Sequence, residues 1–450
     1  MDNTVEAGEK GRPERGQGFL IFVCFFAYAA GYIGRLDYSA AMPAILSEFQ
    51  WSKTDMGIIA SAFFFCYGAG QFVNGILVGR YNVRLTVSGA LLVSAALNGA
   101  FPFCRSIAAM AVVWGLNGAA QSVLWCTIMR GLSERVHAKK PRETAITVMS
   151  VTVPVGTLAA YGLAALFSRL NAWRVPFFVS AGVLIGAAAL YFIGARGAPA
   201  RIACAAEKVS AAGEAPAGKG SAARKKAAVP FGTAALLIGV LFICAAADGF
   251  LKDGLTSWTP ILLFETYALD PSLSILLTLA LPLCAVGGAY LARYLMYWMK
   301  NHFAACGAAL GAIGLLFLPL VLGAGSLWLT VALLSAVACL RAAIGNILTS
   351  RMPFDIRHTV NAGRTAGVLD AFAYVGSIAA GVGIGAIATA SGWGAVLLVL
   401  CVVAAAAGTV TALGAPMWRR RILSRSARPS VVGGEPSAPE NDAADGAPHS

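Results

Sequence analysis

Long apolar segments, separated by short polar ones, run along the chain from about residue 18 to residue 415. Each has roughly 20 residues or more, which is enough for a helix to cross a bilayer core of about 30 Å. The pattern predicts twelve transmembrane helices, at approximately 18–46, 56–78, 86–104, 107–129, 144–168, 175–195, 231–263, 272–295, 303–322, 327–349, 362–388 and 393–415. The composition agrees, with 58% hydrophobic and only 12% charged residues. We therefore expect an all-α integral membrane protein.

Three polar stretches divide the chain. Residues 196–230 are rich in Ala, Gly and Lys, cannot bury a core, and are predicted to form a flexible cytoplasmic linker. The linker would join two six-helix bundles, at 18–195 and 231–415. Residues 1–17 are predicted to be a polar cytoplasmic segment, and residues 416–450 a basic and then disordered tail.

The positive charges predict how the helices are oriented. If the N-terminus is cytoplasmic, the loops on that side and the helix ends next to them hold 27 Lys and Arg residues, and the loops on the other side hold four. This asymmetry follows the positive-inside rule and predicts that both termini are cytoplasmic. It also accounts for the net charge of +13, so we expect no nucleic-acid partner. The other three cations, Arg35, Lys252 and Arg341, fall within predicted spans.

Two of these cations occupy matching places in the two halves of the chain. Arg35 comes eight residues before Pro43, and Lys252 comes eight residues before Pro260. A charge near the middle of a bilayer costs about 2.5–3.5 kcal/mol on insertion scales, so it is seldom present without a use. A repeated cation followed by a helix-disturbing proline indicates a site at the midplane between two repeats. The ligand that best suits the pair is an anion.

Several segments carry a resemblance to a known family. They are YIGRLDYSAAMP at 32–43, WSKTDMGIIASAFFFCYGAGQFVNG at 51–75, GLNGAAQ at 115–121 with Trp125, SWTP at 257–260, and AGRTAGVLDAFAYVGS at 362–377. In these segments the chain resembles the organophosphate:phosphate antiporters of the major facilitator superfamily, which include glycerol-3-phosphate and hexose-phosphate transporters and their sensor relatives. The resemblance implies the major facilitator fold and a bacterial inner membrane.

The resemblance also assigns roles to residues. Arg35 takes the place of the phosphate-binding arginine of the first helix, and Lys252 that of its counterpart in the seventh, where an arginine is usual. A lysine keeps the charge but loses the planar fork that binds phosphate through two bonds. The chain departs from the family at Gln71, where glycerol-phosphate transporters have a lysine, at Val153, where a histidine is typical, and at Gly79, where an aspartate is usual.

Other side chains in the predicted spans are candidates for the same site. Tyr32 and Tyr38 lie near Arg35 and have hydroxyls that can bind an anion, although tyrosine is equally an interface anchor. Gln121 and Trp125 either line the cavity or hold helices together, as polar side chains in membranes often do. Arg341 is either a third substrate-facing cation or a side chain that extends to the cytoplasmic surface.

Four aspartates in the predicted spans, Asp37, Asp248, Asp253 and Asp370, allow two interpretations. Either they balance the cations, or Asp370 or Asp248 exchanges a proton that drives transport. Asp248 precedes Lys252 by four residues, the order that favours an ion pair along a helix.

These observations predict a secondary transporter of a small organic anion. The resemblance implies a phosphorylated metabolite exchanged for inorganic phosphate, with alternating access between the two bundles. The alternatives are proton symport of a carboxylate and a transporter-like sensor of sugar phosphates. No nucleophile–base pair, CxxC pair, Cys/His cluster or phosphate loop occurs in the sequence, so we expect no enzyme, metal or cofactor. We expect a monomer in the lipid bilayer.

Overall fold

A computed structural model describes residues 14–136, 144–145, 148–149, 151–168, 170, 172–196, 231–323, 326–352 and 362–420. These residues form helices and connecting turns, with no strand among them. The α-helices are α1 (Glu14–Phe49), α2 (Lys53–Leu77), α3 (Val83–Ala100), α4 (Ile107–Gln121), α5 (Leu124–Ser133), α6 (Thr152–Ser168), α7 (Val175–Gly194), α8 (Phe231–Thr266), α9 (Pro271–Thr278), α10 (Ala280–Ala285), α11 (Gly288–Met299), α12 (His302–Val321), α13 (Leu327–Asn346) and α14 (Ala362–Trp418). A π-helix, Ile347–Arg351, extends α13.

The helices confirm the predicted fold class. Ten helical stretches of the described residues are long and apolar enough to cross a membrane. One of them, Val368–Trp418, has 51 residues, which is enough for two crossings, and it is broken at Gly392. The backbone at Gly392 has φ 77° and ψ −177°, a conformation that is essentially open only to glycine. With α6, a shorter apolar helix, the described residues provide the twelve predicted crossings.

The structure does not test every predicted boundary. Most of the predicted linker, residues 197–230, lies outside the described residues, as do residues 1–13 and 421–450. Below, the N-terminal half means the described residues before 197, and the C-terminal half means those after 230.

The two prolines do not end their helices. Pro43 lies inside α1, which continues to Phe49, and Pro260 lies inside α8, which continues to Thr266. A proline cannot donate the hydrogen bond that the carbonyl four residues earlier would accept, so α8 has a free carbonyl at Thr256. That oxygen accepts a hydrogen bond of 2.5 Å from the Tyr161 hydroxyl of the N-terminal half. The helix disturbance that the sequence predicts therefore provides a contact between the halves.

The halves are joined at the end of the bundle where α1 and α8 end and α2 begins, which we call the closed end. Lys53 Nζ lies 2.9 Å from Glu265 Oε2, and the indole nitrogen of Trp393 donates to the same oxygen at 2.8 Å. The hydroxyls of Thr54 and Thr389 are 3.2 Å apart. These contacts connect α2 with α8 and α14.

Close backbone packing continues the contact from the closed end toward the middle of α2 and α14. The Ser61 hydroxyl donates to the Ile378 carbonyl at 2.8 Å and accepts from the Val382 amide at 2.9 Å. A Cβ atom on Gly57 would meet the carbonyl oxygen of Gly381, so only a residue without a side chain permits this approach. A second contact joins the halves through α9 and α6, where the Ser272 hydroxyl donates to the Ala165 carbonyl at 2.8 Å.

We predict that the closed end can be locked by a disulfide. In a Thr54→Cys/Thr389→Cys variant, the paired side chains are near enough for a bond after a small adjustment. A protease site inserted within residues 197–230 would separate the halves, and mild oxidation should keep the two fragments joined on a non-reducing gel.

The single substitutions Thr54→Cys and Thr389→Cys are the controls. Each retains the native cysteines but lacks the engineered partner, so any disulfide between the fragments in these variants is background. Failure of the double variant to join the fragments, while both new thiols react with a maleimide, would contradict the closed end described here.

Candidate substrate site

Arg35 lies in a cage of aromatic rings. Its guanidinium carbon is 4.8 Å from the ring centre of Tyr67, 5.1 Å from Phe63, 5.4 Å from Tyr32 and 6.0 Å from Phe64. The residue is only 7% exposed. Attraction between a cation and the negative face of a ring is strongest where water is excluded, so the cage offsets part of the cost of burying this charge.

Lys252 faces Arg35 from the C-terminal half. Its ammonium group is 5.3 Å from the ring centre of Tyr374, and that ring lies 4.9 Å from the ring of Tyr67. A pair of tyrosine rings, one from each half, therefore stands beside both cations. The Lys252 side chain is 28% exposed, so it is more accessible than Arg35.

A carboxylate lies between the two cations. Asp253 Oδ2 is 3.6 Å from Lys252 Nζ, and Asp253 Oδ1 is 4.0 Å from the Arg35 guanidinium. The sequence marks Asp253 as a charge in a span that can balance the cations, but it does not indicate that Asp253 bridges them. On a helix, adjacent residues point about 100° apart, so a neighbouring aspartate gives no signal that it bridges to another helix.

Arg35, Lys252 and Asp253 line a cavity of about 100 Å³ between the halves. Four of the predicted substrate residues lie on its wall: Tyr32, Arg35, Lys252 and Arg341. Its other polar lining residues are Thr157, Tyr161, Asp253, Thr256 and Thr278. Val153, where the resemblance expects a histidine, also lines the cavity, so the departure from the family falls directly on the site.

Arg341 faces the cavity and its neighbour Asp248. A Cβ atom on Gly345 would lie 3.9 Å from a guanidinium nitrogen of Arg341 and 3.5 Å from Asp248 Oδ2, so both groups surround this glycine. Of the two interpretations that the sequence allowed, the position agrees with the cavity-facing one. Its role in binding stays a prediction.

The predicted pairing of Asp248 with Lys252 is not formed. The ammonium group of Lys252 pairs with Asp253, the next residue, and Asp248 Oδ1 is buried without a hydrogen-bond partner. Asp248 still interacts electrostatically with Arg341 and Lys252. The Lys252 side chain points toward the cavity, so its partner is not the residue four positions earlier on α8 that the i,i+4 rule selects.

The other two predicted aspartates lie in different places. Asp370, on α14, interacts electrostatically with Lys252 and Arg35. Asp37 is fully buried in the N-terminal half, and neither of its carboxylate oxygens has a hydrogen-bond partner. It lines a separate small pocket with Trp173, so the structure does not bring it to the cavity.

Gln121 belongs to a buried polar network within the N-terminal half. Its amide donates to the Ser94 hydroxyl at 3.0 Å and to Asn117 Oδ1 at 3.3 Å. Asn117 and Asn98 in turn donate to the carbonyl of Gly34 at 3.0 and 3.1 Å. The network holds α1, α3 and α4 together, which is the second of the two interpretations that the sequence allowed.

Three other predicted substrate residues also stand outside the cavity wall. The Trp125 ring packs 4.8 Å from the ring of Tyr28. The Tyr38 hydroxyl donates to the Met56 carbonyl at 2.7 Å, and its side chain lines a smaller pocket behind Arg35. The Gln71 amide donates to the Tyr67 hydroxyl at 3.1 Å, so it supports the aromatic cage from outside.

We predict that Gln121→Leu lowers stability but leaves anion affinity unchanged. The substitution leaves the buried partners in the network unsatisfied, which costs about 1–3 kcal/mol. The thermal midpoint of the detergent-purified protein should fall by several degrees, and inorganic phosphate affinity should stay within about threefold of wild type. Asn117→Leu should behave alike. A loss of phosphate affinity with an unchanged thermal midpoint would contradict this prediction and indicate that Gln121 binds the substrate.

Comparison with known proteins supplies the family. The model of the Major Facilitator Superfamily matches residues 20–365. A probable hexose phosphate transport protein of Chlamydia pneumoniae is 29% identical over 167 residues, which cover 37% of this chain and 36% of that protein. A glycerol-3-phosphate transporter of Haemophilus influenzae is 32% identical over 152 residues, which cover 32% and 31%. The matched stretch is thus about a third of each relative's length.

A solved structure agrees in fold. It is a bacterial homolog of the human lysosomal transporter Spinster, in an inward-facing and occupied conformation. It superposes with a TM-score of 0.68 at 15% identity and covers 94% of this chain and 100% of that one. The resemblance to organophosphate:phosphate antiporters that the sequence segments indicated is confirmed by the two relatives.

Proposed function

The chain belongs to the major facilitator superfamily, a family of membrane transporters and not of enzymes, and from that premise we propose that it exchanges a small phosphorylated metabolite for inorganic phosphate. In this proposal the substrate's anionic group binds between Arg35 and Lys252. The two bundles, at 18–195 and 231–415, then rock against each other to alternate access.

One observation carries the proposal. Arg35 and Lys252 come from opposite halves, occupy corresponding places in them, and meet at one cavity through the Asp253 carboxylate. A phosphate group is the anion that best fits two cations on opposite walls, because it presents several oxygens to both at once. Both cations belong to one chain, so the proposal needs only a monomer.

The closed end supports a direction for the cavity. Lys53 and Arg174, two of the few cations predicted to lie outside the cytoplasm, belong to this end of the bundle. If the positive-inside rule holds, the closed end faces away from the cytoplasm and the cavity opens toward it. We propose a bacterial inner membrane with both termini cytoplasmic.

A second candidate function is proton-coupled symport of an organic carboxylate. Three aspartates stand close to the three cations: Asp253 lies between Arg35 and Lys252, and Asp248 and Asp370 are within electrostatic range. A nearly balanced site suits an anion of low charge, or an anion that binds together with a proton.

We predict that Arg35→Ala and Lys252→Ala each abolish the uptake of a sugar phosphate into proteoliposomes that are loaded with phosphate. Removal of one cation leaves the bound anion and the Asp253 carboxylate facing a single remaining cation in a low-dielectric cavity. The expected loss is about 3–5 kcal/mol, which is more than a hundredfold in affinity.

Two variants serve as controls. Lys252→Arg keeps the charge and restores the fork usual in the family, so it should retain uptake. Arg293→Ala removes an exposed cation that does not line the cavity, and it should not alter uptake. If Lys252→Ala retains uptake, the two-cation site is wrong, and Arg341 becomes the candidate for the second cation.

A second experiment separates exchange from symport. Phosphate loaded inside the vesicles should stimulate uptake of a sugar phosphate, and a pH gradient alone should do little. Under exchange, Asp370→Asn should change affinity modestly through its effect on the nearby cations. Under symport, the same variant should block accumulation driven by the pH gradient. Uptake that ignores internal phosphate, follows the pH gradient and is lost in Asp370→Asn would overturn the exchange proposal.

A further inference from the structure

The carboxylate of Asp253 occupies the position where the proposed site would hold the anionic group of its ligand. It is an anion between two cations, 3.6 Å from Lys252 Nζ and 4.0 Å from the Arg35 guanidinium. The residue is 5% exposed, so water does not compensate its charge. A ligand bound to both cations would have to share this space with the carboxylate or replace it.

The two ion pairs are loose enough to be replaced. Charge-assisted hydrogen bonds between nitrogen and oxygen are typically about 2.7–2.9 Å long, and both distances at Asp253 exceed this range. Asp253 Oδ2 has no hydrogen-bond partner. A free anion that makes direct hydrogen bonds to Arg35 and Lys252 would therefore gain contacts that the tethered carboxylate lacks.

Space for a displaced carboxylate exists on the other side of Arg35. Asp253 and Thr256 line the main cavity, and both also line a smaller cavity of about 20 Å³ behind the guanidinium. The Asp253 side chain stands between these two cavities, so a rotation toward the smaller one would clear the space beside Arg35.

The two cations are not equally affected by such a rotation. Lys252 and Asp253 are neighbours on α8 and stay close in any conformation. Arg35 belongs to α1 of the other half, so its link to Asp253 is the one that a ligand has to break.

We propose that Asp253 is a tethered competitor: its carboxylate holds Arg35 in the empty protein, and the ligand's anionic group displaces it on binding. The inference rests on the proposed function, because it assumes that Arg35 and Lys252 bind the ligand. In this proposal Asp253 lowers the affinity for the anionic ligand. If it only compensated the charge of the cations, it would stabilise the fold and have no such effect.

The test is inorganic phosphate binding to the detergent-purified full chain, measured by isothermal titration calorimetry. When a ligand must displace a competitor, its apparent affinity is its intrinsic affinity multiplied by the fraction of sites that the competitor leaves free. Asp253→Asn should therefore bind phosphate about tenfold more tightly than wild type. Asp253→Glu restores a carboxylate and should return the affinity to within about threefold of wild type.

Asp248→Asn is the matched control. It removes one negative charge from the same helix, near Lys252 and Arg341, but it does not touch the bridge to Arg35. If general electrostatics were the cause, both asparagine variants would raise affinity equally. The proposal requires a clearly larger effect at Asp253.

A second measurement supplies the competitor from solution. In Asp253→Ala the tethered carboxylate is absent, and free acetate can enter the vacated space. Acetate should then weaken phosphate binding in this variant and have little effect on wild type. Thermal midpoints measured in parallel identify any variant that fails to fold. If Asp253→Asn fails, the acetate titration of Asp253→Ala decides the question; if Asp253→Ala fails, the comparison of Asp253→Asn with Asp248→Asn decides it.

The outcomes separate the two proposals. Wild-type binding of phosphate with equal or weaker binding by Asp253→Asn would overturn the tethered competitor and leave the proposed function intact. Absence of binding of both inorganic phosphate and glucose 6-phosphate in wild type and in all Asp253 variants would overturn both.

Discussion

The burial of Arg35 is the constraint on which the central part of the structure depends. A guanidinium that is 7% exposed among apolar helices requires compensation from several neighbours. Four aromatic rings on its own half provide part of it, and the carboxylates of Asp253 and Asp370 on the other half add to it. Because compensation comes from both sides, the cation is also a physical link between the halves at the level of the cavity.

A second link arises from the backbone. Pro260 leaves the Thr256 carbonyl without its helical donor, and the Tyr161 hydroxyl takes that place at 2.5 Å. This bond can be exchanged for one to water without breaking α8, since the helix already continues past the proline. The contacts at the closed end are of the same kind: hydroxyls, one ion pair and close glycine packing. Polar contacts of this kind can be exchanged for contacts with water when the halves separate, as alternating access requires.

The sequence predicted the fold because membrane insertion imposes simple rules. Segment length and apolar content specify the crossings. They do not specify the break at Gly392, the short α6, or the division of two spans into α4–α5 and α9–α11. The sequence predicted Arg35, Lys252 and Arg341 because a charge in a membrane span is rare enough to be noticed individually. Gln121 was ambiguous, since an amide in a span serves a cavity or a helix contact equally well, and only the position of Ser94 distinguishes them.

The bridging role of Asp253 and the contact of Tyr161 could not be found in the same way. Each residue makes its decisive contact across the halves, with a partner more than 90 residues away in the chain. No local spacing encodes such a contact, and the regular i,i+4 rule selected Asp248 for Lys252 instead. The fold, through the packing of α1 and α6 against α8, decides which side chains meet.

Charge balance then limits how the cavity can work. With three cations on or beside the wall and three aspartates within range, the empty site carries little net charge. A ligand anion adds negative charge that a low-dielectric cavity tolerates poorly. The site can accept it by releasing another anion, by taking up a proton, or by moving the Asp253 carboxylate away from Arg35. Exchange and symport are therefore two solutions to one electrostatic constraint. The bridge between Arg35 and Asp253 is the element that both mechanisms must open, because it is where the ligand's charge and the protein's own charge compete for the same cation.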